Sequence, residues 1–225
     1  MRLLPILVLA TSLLLPASVF PAPQAAETPT EASAERLRQE MNDPALYLEL
    51  IAALQQRRLH YAALAHLDMF DTKWPNDRRA MLQRADAWRQ IDELDRAGEL
   101  YRRLLASEPL AGAYHGLGLI AVRRGAPGEG LELLAQANRL APIDVRILND
   151  LGYLQLTQQQ YPAARLSLNK AVELAPANPQ AVANLALYHL LTGSDDKAEQ
   201  LMQRLGFDQA DRERIRADAQ RLRGQ

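Results

Sequence analysis

The chain has 225 residues, of which 48% are apolar and only 5% aromatic, a composition that suits one domain or one array of helical repeats. Its formal charge of −1 comes from 26 basic and 27 acidic residues that are interspersed, so a basic surface for nucleic acid is not expected. Because there is no cysteine, disulfides, thiolate nucleophiles, cysteine-bound metals and lipid attachment through cysteine are excluded.

The first predicted element is a secretory signal peptide at residues 1–26. Arg2 supplies a positive charge, residues 3–15 are nearly all apolar, and residues 22–26 include the small residues expected before a cleavage site. A membrane-spanning helix needs about 20 apolar residues, so this run is too short to span and long enough for a signal. We therefore expect an exported protein, periplasmic or associated with the outer membrane, without a transmembrane span after cleavage. An uncleaved N-terminal anchor is the alternative.

A linker and a short lead-in helix are expected at residues 27–43, and from there the sequence repeats every 33 or 34 residues. Prolines stand at this spacing at Pro75, Pro109, Pro142 and Pro176. A column of small residues keeps the same period at Ala63, Ala97, Gly130, Ala164 and Ala198. Several independent columns with one period predict an array of structural repeats.

Each repeat reads as two helices joined by a turn. In the third repeat, apolar and small residues at helical spacing surround a turn at residues 125–128. Asp43, Asp77 and Asn178 are predicted helix N-caps, and Pro44 and Pro179 stand at the first helical position, where no hydrogen bond is lost.

The repeat resembles the tetratricopeptide-repeat family. The residues that carry the resemblance are Tyr114, Leu117, Gly118, Ala137, Pro142, Leu151, Gly152, Ala164, Ala171 and Pro176. The resemblance implies an all-α fold, a right-handed superhelix (α-solenoid) of about five helical hairpins. The expected units lie near residues 44–77, 78–110, 111–144, 145–178 and 179–211.

A capping helix is expected to start near residue 208 and to continue through residues 212–225. Ile215, Ala219 and Leu222 give it one narrow apolar stripe, and its other faces are charged. A terminal repeat needs such a helix because its apolar side would otherwise face water.

No group of residues indicates catalysis. The four histidines, His60, His66, His115 and His189, fall in different units without metal-ligand spacing. No serine occupies a glycine-flanked nucleophile turn. We therefore expect a non-enzymatic protein with no cofactor and no metal.

Partners of the tetratricopeptide-repeat family bind on the concave face, which the first helix of each hairpin lines. The resemblance places the following residues in a partner-binding groove: Arg79, Arg89, His115, Leu119, Val122, Arg146, Asn149, Tyr153, Leu156, Gln180, Asn184 and Leu187. The apolar members, with Leu190 and Leu191, are expected to form an exposed patch for an amphipathic helix or extended peptide. Asn149 and Asn184 would bond the partner's backbone. Packing of Leu190 and Leu191 against the capping helix is the alternative.

The stretch from Leu148 to Leu187 is similar to the tetratricopeptide proteins of Tad (Flp-type) pilus systems. This similarity implies a pilotin-like assembly adaptor, with an outer-membrane secretin or another pilus component as its partner. The alternative is a periplasmic accessory protein that organises an envelope polysaccharide or cell-wall enzyme.

Overall fold

The computed structural model describes residues 42–224, and these residues form eleven α-helices and no strand. The predicted signal peptide and all but the last two residues of the predicted lead-in segment lie outside the described residues. Within them, no helix combines the length and the apolar character that crossing a membrane requires. The predicted all-α fold class is confirmed.

The helices form five consecutive hairpins and a final single helix. In chain order they are α1 (Pro44–Gln56), α2 (His60–Lys73), α3 (Arg78–Gln90), α4 (Leu94–Leu105), α5 (Ala111–Arg123), α6 (Pro127–Leu140), α7 (Val145–Thr157), α8 (Tyr161–Leu174), α9 (Pro179–Leu191), α10 (Asp195–Arg204) and α11 (Gln209–Arg223). Units 1 to 5 are the successive pairs from α1–α2 to α9–α10, so α1, α3, α5, α7 and α9 are the first helices. The predicted array of five hairpins closed by a capping helix is therefore confirmed.

Side-chain caps set the start of several first helices, as the sequence predicts. Backbone N–H groups donate to the Oδ1 atoms of Asp43 at 2.7 Å, Asp77 at 2.8 Å and Asn178 at 3.1 Å. Pro44 and Pro179 follow two of these caps at the start of their helices. Each cap satisfies an amide that the helix itself leaves without a partner.

The turn between the two helices of each unit contains one residue in the left-handed conformation. These residues are Arg58, Asp92, Gly125, Gln159 and Gly193, with φ between 56° and 78°. Their common position in the repeat shows that every hairpin reverses direction by the same backbone geometry. Only units 3 and 5 carry glycine there, although side chains disfavour this conformation.

The core lies between the helices and continues from one unit to the next. Ala63, Ala97, Ala164 and Ala198 of the predicted small-residue column are fully buried, since the second helices approach their neighbours closely at these points. At the C-terminal end, Ile215 and Ala219 of α11 are 8% and 3% exposed and belong to the same core cluster as residues of α9 and α10. The capping helix thus occupies the place that a first helix of a sixth unit would take.

Candidate functional site

The first helices of all five units contribute to one cavity of about 380 Å³, called the central cavity below. Six of the predicted groove residues line it: Arg89, His115, Leu119, Arg146, Asn149 and Gln180. Other polar side chains in its lining are Gln55, Gln56, His60, Asp86, Gln90, Asp150 and Asn178. The cavity therefore presents hydrogen-bonding groups from positions spread along the array.

A chain of hydrogen bonds crosses the units at this cavity, and we call its members, His115, Asp150, Asn149 and Asn184, the polar ladder. His115 Nε2 lies 2.7 Å from Asp150 Oδ2, and Asn149 Nδ2 donates to Asp150 Oδ1 at 3.2 Å. Asn184 Nδ2 donates to Asn149 Oδ1 at 2.9 Å. Both bridges between units, His115 with Asp150 and Asn149 with Asn184, join residues 35 positions apart.

The polar ladder corrects the role predicted for the two asparagines. Asn149 and Asn184 are only 6% and 5% exposed, and their side chains bond each other instead of projecting freely into the groove. His115 is 8% exposed and is likewise held by Asp150. Buried polar groups need partners of this kind, so the ladder fixes the spacing between first helices. Three of its members line the central cavity, and Asn184 lines a second cavity described below.

Tyr101 belongs to the second helix α4 and reaches the inner surface, which is the face that the first helices line. The sequence did not predict this contact. Its hydroxyl donates to Asp86 Oδ1 at 2.6 Å and accepts from Arg89 Nε at 3.4 Å. Burial, together with the Asp86 carboxylate, raises the pKa of Tyr101, so the phenol stays neutral and remains a donor. The ring lies over Gly116, where an added Cβ would come within 2.1 Å of it. Gly116 occupies the repeat position of Asp150 and Asn184, which is the sequence signal for this contact.

A second cavity of about 330 Å³, called the end cavity below, lies where α7, α9 and α11 meet. Four predicted groove residues line it, Tyr153, Gln180, Asn184 and Leu187. The capping helix adds Asp211, Arg214, Ile215 and Asp218. The sequence predicts only a closing role for α11. Arg214 and Asp218 stand 34 residues after Gln180 and Asn184, so the repeat period itself places them on the inner surface.

The prediction of an exposed apolar patch is wrong for three of its leucines. Leu156, Leu187 and Leu190 are 1%, 3% and 7% exposed and belong to the core cluster that contains Ile215 of the capping helix. The closing helix covers this part of the array, as the alternative for Leu190 anticipated. Tyr153, at 36% exposure, and the partly buried Phe207 are the large aromatic side chains in the lining of the end cavity.

Two other predicted residues, Arg79 and Val122, line neither cavity. Arg79 forms an ion pair with the helix cap Asp77 at 2.8 Å, and this hydrogen bond lowers the pKa of Asp77. Val122 packs beside Gly130, where an added Cβ would come within 2.6 Å of Val122 Cγ2. Val122 therefore contributes to the packing of α5 on α6, although 37% of the residue remains exposed, as predicted.

The charged side chains at the central cavity are balanced in number, and each already has a hydrogen-bond partner. Asp86 accepts from Tyr101, and Asp150 accepts from His115. Arg146 keeps 72% of its side chain exposed and pairs with the cap Asp144 at 2.9 Å. Among residues 42–224, no three or more acidic or histidine side chains converge as metal ligands would. The arrangement can hold a ligand by hydrogen bonds, and it offers no preference for a free carboxylate.

Comparisons with known proteins agree with this architecture. A family model described as tetratricopeptide repeat matches residues 115–179 and 149–212. The TPR repeat-containing protein PA4299 of Pseudomonas aeruginosa is 34% identical over 170 residues, which cover 76% of this chain and 66% of that relative. The match thus spans slightly less than two thirds of the relative's own length.

Solved structures with low sequence identity share the fold. The thermophilic TPR protein TTC0263 of Thermus thermophilus has a TM-score of 0.64 at 20% identity, covering 80% of this chain and 98% of that one. The pilF protein of Pseudomonas aeruginosa has a TM-score of 0.62 at 20% identity, with coverages of 77% and 81%. YrrB, a TPR protein with an unusual peptide-binding site, has a TM-score of 0.53 at 15% identity, with coverages of 82% and 97%.

Proposed function

Because this chain belongs to the tetratricopeptide-repeat family, we propose that it is a non-enzymatic scaffold that binds a segment of a protein partner at the central cavity. The observation that carries the proposal is the convergence of all five first helices on this one cavity. A ligand there would contact every unit at once, which favours an extended segment or a helix over a small molecule.

The cavity lining supports recognition of a peptide backbone. Gln56, Gln90 and Gln180 are exposed side chains in the lining, and each glutamine amide both donates and accepts hydrogen bonds. Asn149 and Asn184 are almost fully buried and bond each other, so the exposed glutamines are better placed to reach a partner. We propose that these glutamines bond the partner's main chain. The peptide-binding site of YrrB is a precedent for peptide binding on this fold.

For the cellular role, we propose an exported adaptor of a Tad (Flp-type) pilus or a related secretion system, similar to the protein TadD. The support is the signal-like residues 1–26 and the similarity of the stretch from Leu148 to Leu187. The partner would be an outer-membrane secretin or another assembly component. The alternative function remains an accessory protein for an envelope polysaccharide or cell-wall enzyme.

Affinity capture from envelope fractions tests the binding site. The variant Arg146→Glu with Gln90→Glu changes two residues that line the central cavity and not the end cavity, and we expect it to lose the partners that the native chain captures. Arg165→Glu with Gln200→Glu makes the same chemical change at exposed positions outside both cavities and should capture them normally.

Equal capture by both variants would rule out the central cavity as the site. The partners that the control variant captures and the cavity variant loses identify the cellular role. A secretin or pilus component among them supports the pilus role, and a polysaccharide or cell-wall enzyme supports the alternative. Export is tested separately by fusing residues 1–26 to a phosphatase that is active only outside the cytoplasm. An inactive fusion would contradict the predicted signal.

A further inference from the structure

The bridges of the polar ladder follow a rule that can be extended to the capping helix. His115 contacts Asp150 and Asn149 contacts Asn184, each across 35 residues and from one first helix to the next. Applying the same step once more pairs Ala183 with Asp218. Alanine has no group that can reach a carboxylate, so the third bridge is missing.

The end cavity lies at this missing bridge, and both Ala183 and Asp218 line it. Its apolar lining includes Leu187 and Ile215, which are 3% and 8% exposed, and Tyr153 lies at 36% exposure beside them. A cavity of about 150 Å³ in a protein core already admits benzene. The end cavity, at about 330 Å³ and open to solvent, therefore has room for a large side chain and its neighbouring group.

The polar residues that line the end cavity favour a basic residue next to the side chain that fills the cavity. Asp218 Oδ1 accepts from Arg221 at 2.7 Å, whereas Oδ2 has no hydrogen-bond donor among the residues that the structure describes. Asp211 also lines the cavity and is paired with Arg214 at 2.5 Å. Each carboxylate thus has one arginine, and the second oxygen of Asp218 remains available to a basic group of the bound segment.

We propose that the end cavity is the anchor site for the protein partner and receives one large apolar side chain, aromatic or leucine-sized. A lysine or arginine beside this anchor donates to Asp218 Oδ2 and so supplies the missing bridge. This inference rests on the proposed function, since it specifies which residues of the bound segment contact the C-terminal end of the array.

A residue from another unit of the repeat suggests a variant in which the end cavity is filled. Ala183→Asn places at this position the residue that stands at 149, where its side chain can reach Asp218 and occupy the cavity. Ala217→Asn is the matched control, since it makes the same change at an exposed position of α11 that does not line the cavity. Far-UV circular dichroism and thermal unfolding establish that both variants fold.

A phage-displayed library of random twelve-residue peptides serves as the probe, selected on the native chain. We expect enrichment of peptides in which an aromatic residue, leucine or methionine adjoins lysine or arginine. The selected peptides should bind Ala183→Asn about tenfold more weakly or worse and should bind Ala217→Asn as tightly as the native chain. Selection repeated on Asp218→Asn should no longer favour the basic residue.

Two outcomes would overturn the anchor site while leaving the proposed function in place. One is a set of selected peptides that binds Ala183→Asn as well as the native chain. The other is enrichment of peptides that lack the apolar and basic pair. A library from which the native chain enriches no peptide would count against the anchor site and the peptide-binding function together.

Discussion

The side-chain amide of Asn184 donates to the side-chain carbonyl of Asn149 at 2.9 Å, although the two residues belong to successive units and are 35 positions apart. Both side chains are almost completely buried, at 5% and 6% exposure. The pair therefore links α7 to α9 by a bond that water cannot replace without opening the array. Loss of this hydrogen bond should lower both the free energy of unfolding and the affinity for a partner.

Asn184→Ala should lower the free energy of unfolding by about 1–3 kcal/mol, because it leaves the buried Asn149 carbonyl without a donor. The measurement is urea denaturation followed by circular dichroism. Asn169→Ala changes an asparagine of α8 outside the ladder and should cause no comparable loss. The double variant Asn149→Ala with Asn184→Ala should lose less than the sum of the two single variants. Strict additivity would show that the bond contributes no coupling.

Gly116→Ala should destabilise the array by about 1–3 kcal/mol, the usual cost of overpacking. An added Cβ would come within 2.1 Å of the buried ring of Tyr101, which must then move and release Asp86. Gly128→Ala is the matched control, since nothing lies within 4 Å of the Cβ it would add. Thermal unfolding should show a lower midpoint for Gly116→Ala only, and equal midpoints would contradict the close packing of Tyr101 on α5.

The repeat period predicted the fold well because each unit packs against the next through residues at the same repeat positions. The column of small residues and the caps Asp43, Asp77 and Asn178 could be read directly from the sequence. Contacts between units were harder, because they depend on how far each hairpin is rotated against the next. That rotation brings residues 35 apart together, and it buries Asn149, Leu156 and Leu187, which were predicted from the sequence to be exposed.

Gln159→Gly should raise the free energy of unfolding by up to about 1 kcal/mol. The left-handed conformation at φ 56° costs a side chain about 1–2 kcal/mol, and the greater entropy of glycine in the unfolded chain offsets part of this gain. Urea denaturation checks the sign. Gly193→Ala makes the reverse change at the same repeat position and should destabilise. A stabilising Gly193→Ala would show that this turn does not require the left-handed conformation.

Stability should fall as the pH drops from about 7.5 to about 5.5. Burial and nearby cations, Arg58 for His60 and Lys197 for His189, lower the pKa of both histidines in the folded chain. The unfolded chain then binds more protons than the folded chain, so stability present above the ordinary histidine pKa of 6.5 is lost on acidification. Urea denaturation at the two pH values measures this loss. The variant His60→Gln with His189→Gln should show a smaller loss, and an unchanged loss would contradict the assignment.

Tyr101 makes occupancy of the inner surface optically observable without an introduced label. Its ring is held rigidly over Gly116, while its hydroxyl bonds Asp86 and Arg89, two residues of the central cavity. A ligand that draws either residue away would change the environment of the phenol and hence its near-ultraviolet dichroism. Subtracting the spectrum of Tyr101→Phe isolates this contribution, so titrations could be followed on the unmodified chain.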